Sequence, residues 1–200
     1  MRAEDDETPE TPQLPISMPM PTKLVERLFE SRTILLHGEI TSKVAQEITA
    51  QLLGLAAAGD DPITLFLHSE GGHVEAGDTI HDMIKFVKPR VRIIGTGWVA
   101  SAGTHIYLAV PKKDRFCLPN TRFMIHQPLG GIGGRAIDIR IEAEEIVKAR
   151  QRLNQTIADA TGQTLEKVEQ DTDRNYWMSP EEAKAYGIVG KIIASASELA

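Results

Sequence analysis

Between residues 33 and 126 the chain alternates short apolar runs with longer stretches of helical periodicity, and that alternation restricts the fold more than any other feature. Thr33–His37, Ile63–His68 and Val91–Ile94 have the length and β-branched character of buried strands. Between the first two, Thr41 stands where a helix N-cap belongs, and Val44, Ile48, Leu52 and Leu55 follow at steps of four, four and three. That spacing predicts a helix with one buried face. After Gly71-Gly72, the residues Ile80, Met83, Ile84 and Val87 mark a second amphipathic helix that must end before Pro89. Strands separated by helices predict an α/β architecture with right-handed crossovers.

The rest of the chain extends the pattern. Gly95-Thr96-Gly97 reads as a turn into the small-residue segment Ala100-Ser101-Ala102-Gly103, which leads into a buried helix carrying Ile106, Leu108 and Val110. Arg122–His126 reads as a strand. The glycines of Gly130-Gly131-Ile132-Gly133-Gly134 lose too much backbone entropy to hold a helix. From Ala136 a long helix is predicted, with Ile139, Ala143, Ile146, Arg150, Leu153 and Ile157 at steps of 4, 3, 4, 3 and 4. This near-heptad rhythm suits helix-to-helix packing, including packing between subunits. Thr164–Asp173 and Ser179–Gly187 read as shorter helices, and Ile188–Ile193 as a return to the sheet.

The 200 residues, 42% apolar and 25% charged, suit one domain. Residues 1–22 stand apart, holding five acids against one base and five of the eleven prolines. Such a segment propagates neither helix nor ladder, so it is expected to be a flexible acidic arm or propeptide ahead of a single domain over 23–200. It lacks the basic start and apolar run of a signal peptide, and it is too acidic for an organelle-targeting helix. No later segment has the length of apolar sequence that crosses a membrane. A net charge of −6 argues against nucleic acid as a partner. The lone Cys117 excludes an internal disulfide framework and is expected to be a small buried hydrophobe, in keeping with a reducing cytoplasm.

Several motifs carry candidate chemistry. Gly95-x-Gly97 lacks the third glycine of a dinucleotide fingerprint, because position 100 is Ala100, and the later glycine run lacks the Lys-Ser/Thr ending of a phosphate loop. His68, His73 and His81 have no metal-ligand spacing, so no metal is expected. Ser101 sits at a sharp junction among small neighbours, which suits an exposed nucleophile, although Val99 occupies the place of the first glycine of the nucleophile elbow. Local residues alone favour a helix N-cap serine. His126 ends a strand beside the glycine loop.

Taken together, these motifs resemble the proteolytic subunit of the caseinolytic Clp protease, the ClpP family of serine peptidases. Gly97-Trp98-Val99-Ala100-Ser101-Ala102-Gly103 matches the family's nucleophile motif, and Arg115–Asn120 with Met124–Gly131 matches its histidine motif. The likeness runs from about Leu24 to Ile193. It implies a superhelix of ββα units with a protruding handle helix from Ala136, assembled as two stacked seven-membered rings, homomeric or mixed with a paralogous subunit. It also implies Ser101 as nucleophile, His126 as general base and Asn175 at the third triad position. Backbone N–H groups of Gly72 and Ala102 would form the oxyanion hole, and Gly72, Val74, Leu129 and Gly131 would flank an extended polypeptide substrate. Asp173 and Arg174 match residues that bridge rings, and an ATP-driven AAA+ unfoldase is the implied partner. No cofactor is implied, since ATP belongs to that partner.

Three departures qualify the resemblance. Asn175 stands where most family members have aspartate, leaving a catalytically weak ring subunit as the alternative to a working peptidase. Glu70 replaces the usual proline in Ser69-Glu70-Gly71-Gly72, and the amino terminus lacks the usual axial-loop sequence. Phe66, Phe86 and Phe116 match aromatic positions of the family's unfoldase-docking pocket, with Thr64 in place of another aromatic; ordinary core phenylalanines are the competing reading. A crotonase-like acyl-CoA enzyme would share the fold, but the serine and histidine motifs favour a peptidase.

Overall fold

The structure is a computed structural model that describes residues 20–128 and 133–199. In chain order its elements are α1 (Thr22–Glu30), β1 (Thr33–His37), α2 (Ser42–Ala58), β2 (Ile63–Ser69), α3 (Val74–Phe86), β3 (Val91–Ala100), α4 (Ala102–Tyr107), β4 (Arg115–Cys117), β5 (Arg122–Ile125), α5 (Ala136–Thr161), α6 (Leu165–Asp171), β6 (Tyr176–Met178), α7 (Pro180–Tyr186) and β7 (Lys191–Ile192). Strands β1, β2, β3, β4 and β7 lie side by side in that order, all parallel, with α2 and α3 as the crossovers between the first three. The α/β expectation holds. The three-residue β4 and the three-residue β6 gave no periodicity to read, and α1, whose Leu24, Val25, Leu28 and Phe29 recur at helical spacing, is an addition to the elements expected.

Strand β3 runs past the turn expected at Gly95-Thr96-Gly97. Its first half pairs with β4 through Ile93–Gly95, and its second half pairs with β5 through Trp98–Ala100, so one strand serves two branches of the sheet. The glycines make a bulge here instead of a turn. Gly97 has φ +55, a Cβ on it would run into the His68 ring, and the following Trp98 N–H donates to His68 Nδ1 at 3.0 Å. The second branch is completed by β6, antiparallel to β5.

The main core lies on the face covered by α2 and α3, where Ile34, Leu36, Leu65, Leu67 and Ile93 meet Ile48, Leu52 and Ile80. Each such side chain, fully removed from water, contributes about 1.5–3 kcal/mol. Thr41 caps α2 by accepting from Val44 N–H at 3.2 Å. On the opposite face Ile94, Phe116 and Ile193 form a smaller cluster with Phe66, Leu118 and Leu199. Phe116 is thus a core residue, whereas Phe86 at the end of α3 is 76% exposed. Cys117 is buried as expected, and burial pushes its thiol up to about 12.

Helix α5 has 26 residues, which makes it about 39 Å long. Only Asn154, Ile157 and Ala158 near its end are buried, while Ile137, Ile139, Ile141 and Val147 stand exposed. No helix of the described residues is long and apolar enough to cross a membrane.

Candidate active site

Ser101 lies between the end of β3 and the start of α4, with φ 54 and ψ −122. Such a backbone conformation costs on the order of 1–3 kcal/mol and persists only where the surroundings enforce it. They do so here from three sides. The Ser101 N–H donates to Met124 O of β5 at 2.9 Å, and the Thr104 hydroxyl lies 2.8 Å from Val99 O and 2.9 Å from Met124 O. On the third side Gly71 approaches so closely that a Cβ there would sit 2.6 Å from the Ser101 Cβ. Ser101 does occupy the N-cap position of α4, but its side chain caps nothing. The strained turn aims the hydroxyl elsewhere.

Its destination is His126, the residue after β5, whose Nε2 is 2.7 Å from Ser101 Oγ. On the far side of the ring, Nδ1 is 3.0 Å from Asn175 Oδ1. With the amide oxygen accepting from Nδ1–H, Nε2 is left as the acceptor for the serine hydroxyl. Three sequence-distant residues therefore form one hydrogen-bonded row. The loops that carry the last two are stitched together: Gln127 N–H donates to Thr172 O at 2.6 Å, and the Gln127 amide donates to Asp173 O at 2.8 Å. Asp171, the last residue of α6 and four residues before Asn175, is engaged with the Tyr186 hydroxyl and Lys167, each at 2.8 Å, and takes no part in the row.

Ala102 directly follows the serine, and Gly72 follows the Gly71 that touches it. Ala102 is the first residue of α4, and helix geometry leaves its N–H without an intrahelical acceptor. Gly72 pairs with Ile40 in an isolated bridge, using the flanking Gly71 carbonyl and His73 N–H. A Cβ on Gly72 would run into the Ile40 backbone, so only glycine fits this approach. Beside Ser101 opens a pocket whose apolar walls include Val74, Ile125, Pro128, Leu153 and Ile157. Leu129 and Gly131 lie outside the described residues. Asp173 is 3.8 Å from Arg150 of α5, and Arg174 is exposed.

Local sequence reading overlooked several supports of this arrangement. Gln127 lies within the histidine motif and Thr104 just past the nucleophile motif, but neither carries a signal of its own, since a glutamine after a strand or a threonine in a short helix is commonplace. Gly71 is the exception, because a Gly-Gly pair after a strand announces a close backbone approach.

A serine on a strained strand-to-helix turn, hydrogen-bonded to a histidine that an amide or carboxylate orients, is the constellation of serine hydrolases. The family model for Clp protease matches residues 19–196. The ATP-dependent Clp protease proteolytic subunit 3 of Rhizobium meliloti is 54% identical over the whole of both chains. Subunit 2 of Pseudomonas aeruginosa is 49% identical over 88% of each. Among solved structures, ClpP1 of Listeria monocytogenes matches with a TM-score of 0.81 and 54% identity, and an Asn-to-Asp mutant of the same protein with 0.84 and 55%; each covers 88% of this chain and 99% of the other. The chain belongs to the Clp protease family and has its ClpP fold.

Proposed function

We propose that this chain is the serine endopeptidase core of an ATP-dependent protease. The observation that carries the reading is the unbroken row Asn175 Oδ1, His126 Nδ1, His126 Nε2, Ser101 Oγ, with gaps of 3.0 and 2.7 Å. Ser101 Oγ attacks the scissile carbonyl carbon while His126 Nε2 takes its proton. The negative charge that develops on the carbonyl oxygen is met by the N–H groups of Gly72 and Ala102, because the N–H of Ser101 itself is committed to Met124. Collapse breaks the C–N bond, His126 returns the proton to the leaving amine, and a serine ester remains. Water then repeats the sequence in reverse and releases the acid.

Asn175 holds the imidazole in the required tautomer but, being neutral, gives less support to the imidazolium than a carboxylate would. The hydrogen-bonded row, with Ser101 strained into place, supports a peptidase over a merely structural subunit. Unpartnered apolar residues on α1 (Leu24, Val25, Phe29) and on the first half of α5 support assembly into rings, which we take to be seven-membered and stacked in pairs, homomeric or mixed with a paralogue. In that assembly Asp173 and Arg174 face the opposite ring, Val74, Leu129 and Gly131 with Gly72 flank an extended polypeptide, and an AAA+ unfoldase delivers it in the cytoplasm. No cofactor takes part in the steps above.

Incubation with a fluorophosphonate probe and a fluorogenic peptide tests the reading. Covalent labelling and cleavage that both vanish in Ser101→Ala are expected. Absence of labelling in the assembled protein overturns it in favour of the structural subunit.

A further inference from the structure

Behind the serine, one carboxylate links three helices. Asp78 of α3 accepts a hydrogen bond from Arg152 Nη1 of α5 at 2.7 Å, and its Oδ1 lies 2.9 Å from His105 Nε2 of α4. His105 is buried, and its imidazole stacks on that of His81, one turn further along α3, with ring centroids 4.4 Å apart and planes 14° from parallel. The His105 N–H donates to Ser101 O at 3.2 Å, the first hydrogen bond of the helix that Ser101 opens. On the same face α3 runs so close to α4 that a Cβ on Gly77 would meet the Ala102 Cβ at 3.2 Å. Burial opposes charge on Asp78, yet the adjacent His105 ring and the Arg152 guanidinium hold its carboxyl down at about 2, so the carboxylate is ionised whenever the joint is made.

We infer that Asp78 is a positioning residue: through Arg152 and His105 it fixes the long helix α5 against α4, and so sets where Ser101 and the Ala102 N–H stand. The inference rests on the reading of Ser101 as nucleophile. Its physical basis is leverage. The first half of α5 has no buried residue, so forces applied to that exposed half reach the rest of the chain through its last turns. There, Arg152 is the cation that reaches Asp78, and the adjacent Leu153, with Ile157, walls the pocket beside Ser101. A shift of α5 therefore moves one wall of that pocket and, through Asp78, the helix that begins at the nucleophile.

The test compares Asp78→Asn, Arg152→Gln and Arg152→Lys in the full chain, with peptide kinetics and hydrogen exchange of the segment 101–110. The two charge-removing variants are expected to lower kcat about ten-fold with KM little changed, because misplacing a reacting group costs turnover before binding. They should also speed exchange in 102–107, and Arg152→Lys, which keeps the ion pair, should restore most of both. Arg152 is half-exposed, so its variants answer the question even where Asp78→Asn does not fold. Exchange changes confined to α5, or a fall in kcat that Arg152→Lys does not mend, overturn the inference. If wild-type Ser101 takes no fluorophosphonate, the peptidase reading fails, and the exchange comparison alone decides whether the joint exists.

Discussion

The two ends of the serine–histidine–asparagine row are built to different standards. At the nucleophile, every neighbour is specified: Gly71 leaves no room for a Cβ, Thr104 reaches two carbonyls, and β5 holds the Ser101 N–H. At the other end Asn175 is exposed, held by the loop that follows α6, and, among the described residues, bonded through its side chain to His126 alone. The contrast teaches which end tolerates chemical change. A buried, crowded position rejects even a methyl group, whereas an exposed one accepts a new charge with little desolvation cost. The amide at position 175 is thus a tuned feature of a permissive site, and the elbow is a fixed feature of a restrictive one.

Ser101→Ala breaks the comparison outright. It removes the attacking atom, and peptide turnover should fall by about 10⁴-fold or more while the fold, followed by thermal melting, survives. Gly71→Ala comes next, since it forces a side chain onto a φ of +109 and into Ser101; labelling by a fluorophosphonate should slow about a hundred-fold. At the permissive end Asn175→Asp should raise kcat about ten-fold or more, given that the reverse exchange in the serine-protease triad costs about 10⁴. Unchanged turnover would remove Asn175 from the row. Thr104→Val, which deletes a buried donor, should cost about 1–2 kcal/mol in urea denaturation. Smallest of all, Asp171→Asn should leave turnover within about two-fold, because it alters a contact to Tyr186 and Lys167 outside the row.

Legibility in the sequence followed the same division. Strands and helices that bury a face could be read from spacing, as in Ile48, Leu52 and Leu55 of α2, because burial imposes a period. Elements too short to show one, β4 and β6, were invisible, and β7 proved shorter than the expected Ile188–Ile193. The turn expected at Gly95–Gly97 was a misreading of glycines that serve a bulge, since nothing local in sequence announces the His68 ring opposite Gly97. Ser101 shows the limit most plainly. Its neighbours fit an N-cap, and it occupies that position; only tertiary contacts from Gly71, β5 and His126 turn its hydroxyl away. The family motifs carried that information, and local residue chemistry did not. The Asp78–Arg152 contact joins residues 74 apart and could not have been found by any local rule.

The strands that bring the row together also carry the chain's two tryptophans. Trp98 lies three residues before Ser101 and Trp177 two residues after Asn175, and their indole rings meet edge to face at 5.4 Å across β5, with the Arg122 guanidinium 5.7 Å from the Trp177 ring. Two indoles so close and so inclined are coupled optically. Near-ultraviolet circular dichroism therefore provides a label-free gauge of the spacing between β3, which leads into Ser101, and β6, which follows Asn175, in protein that has no substrate bound.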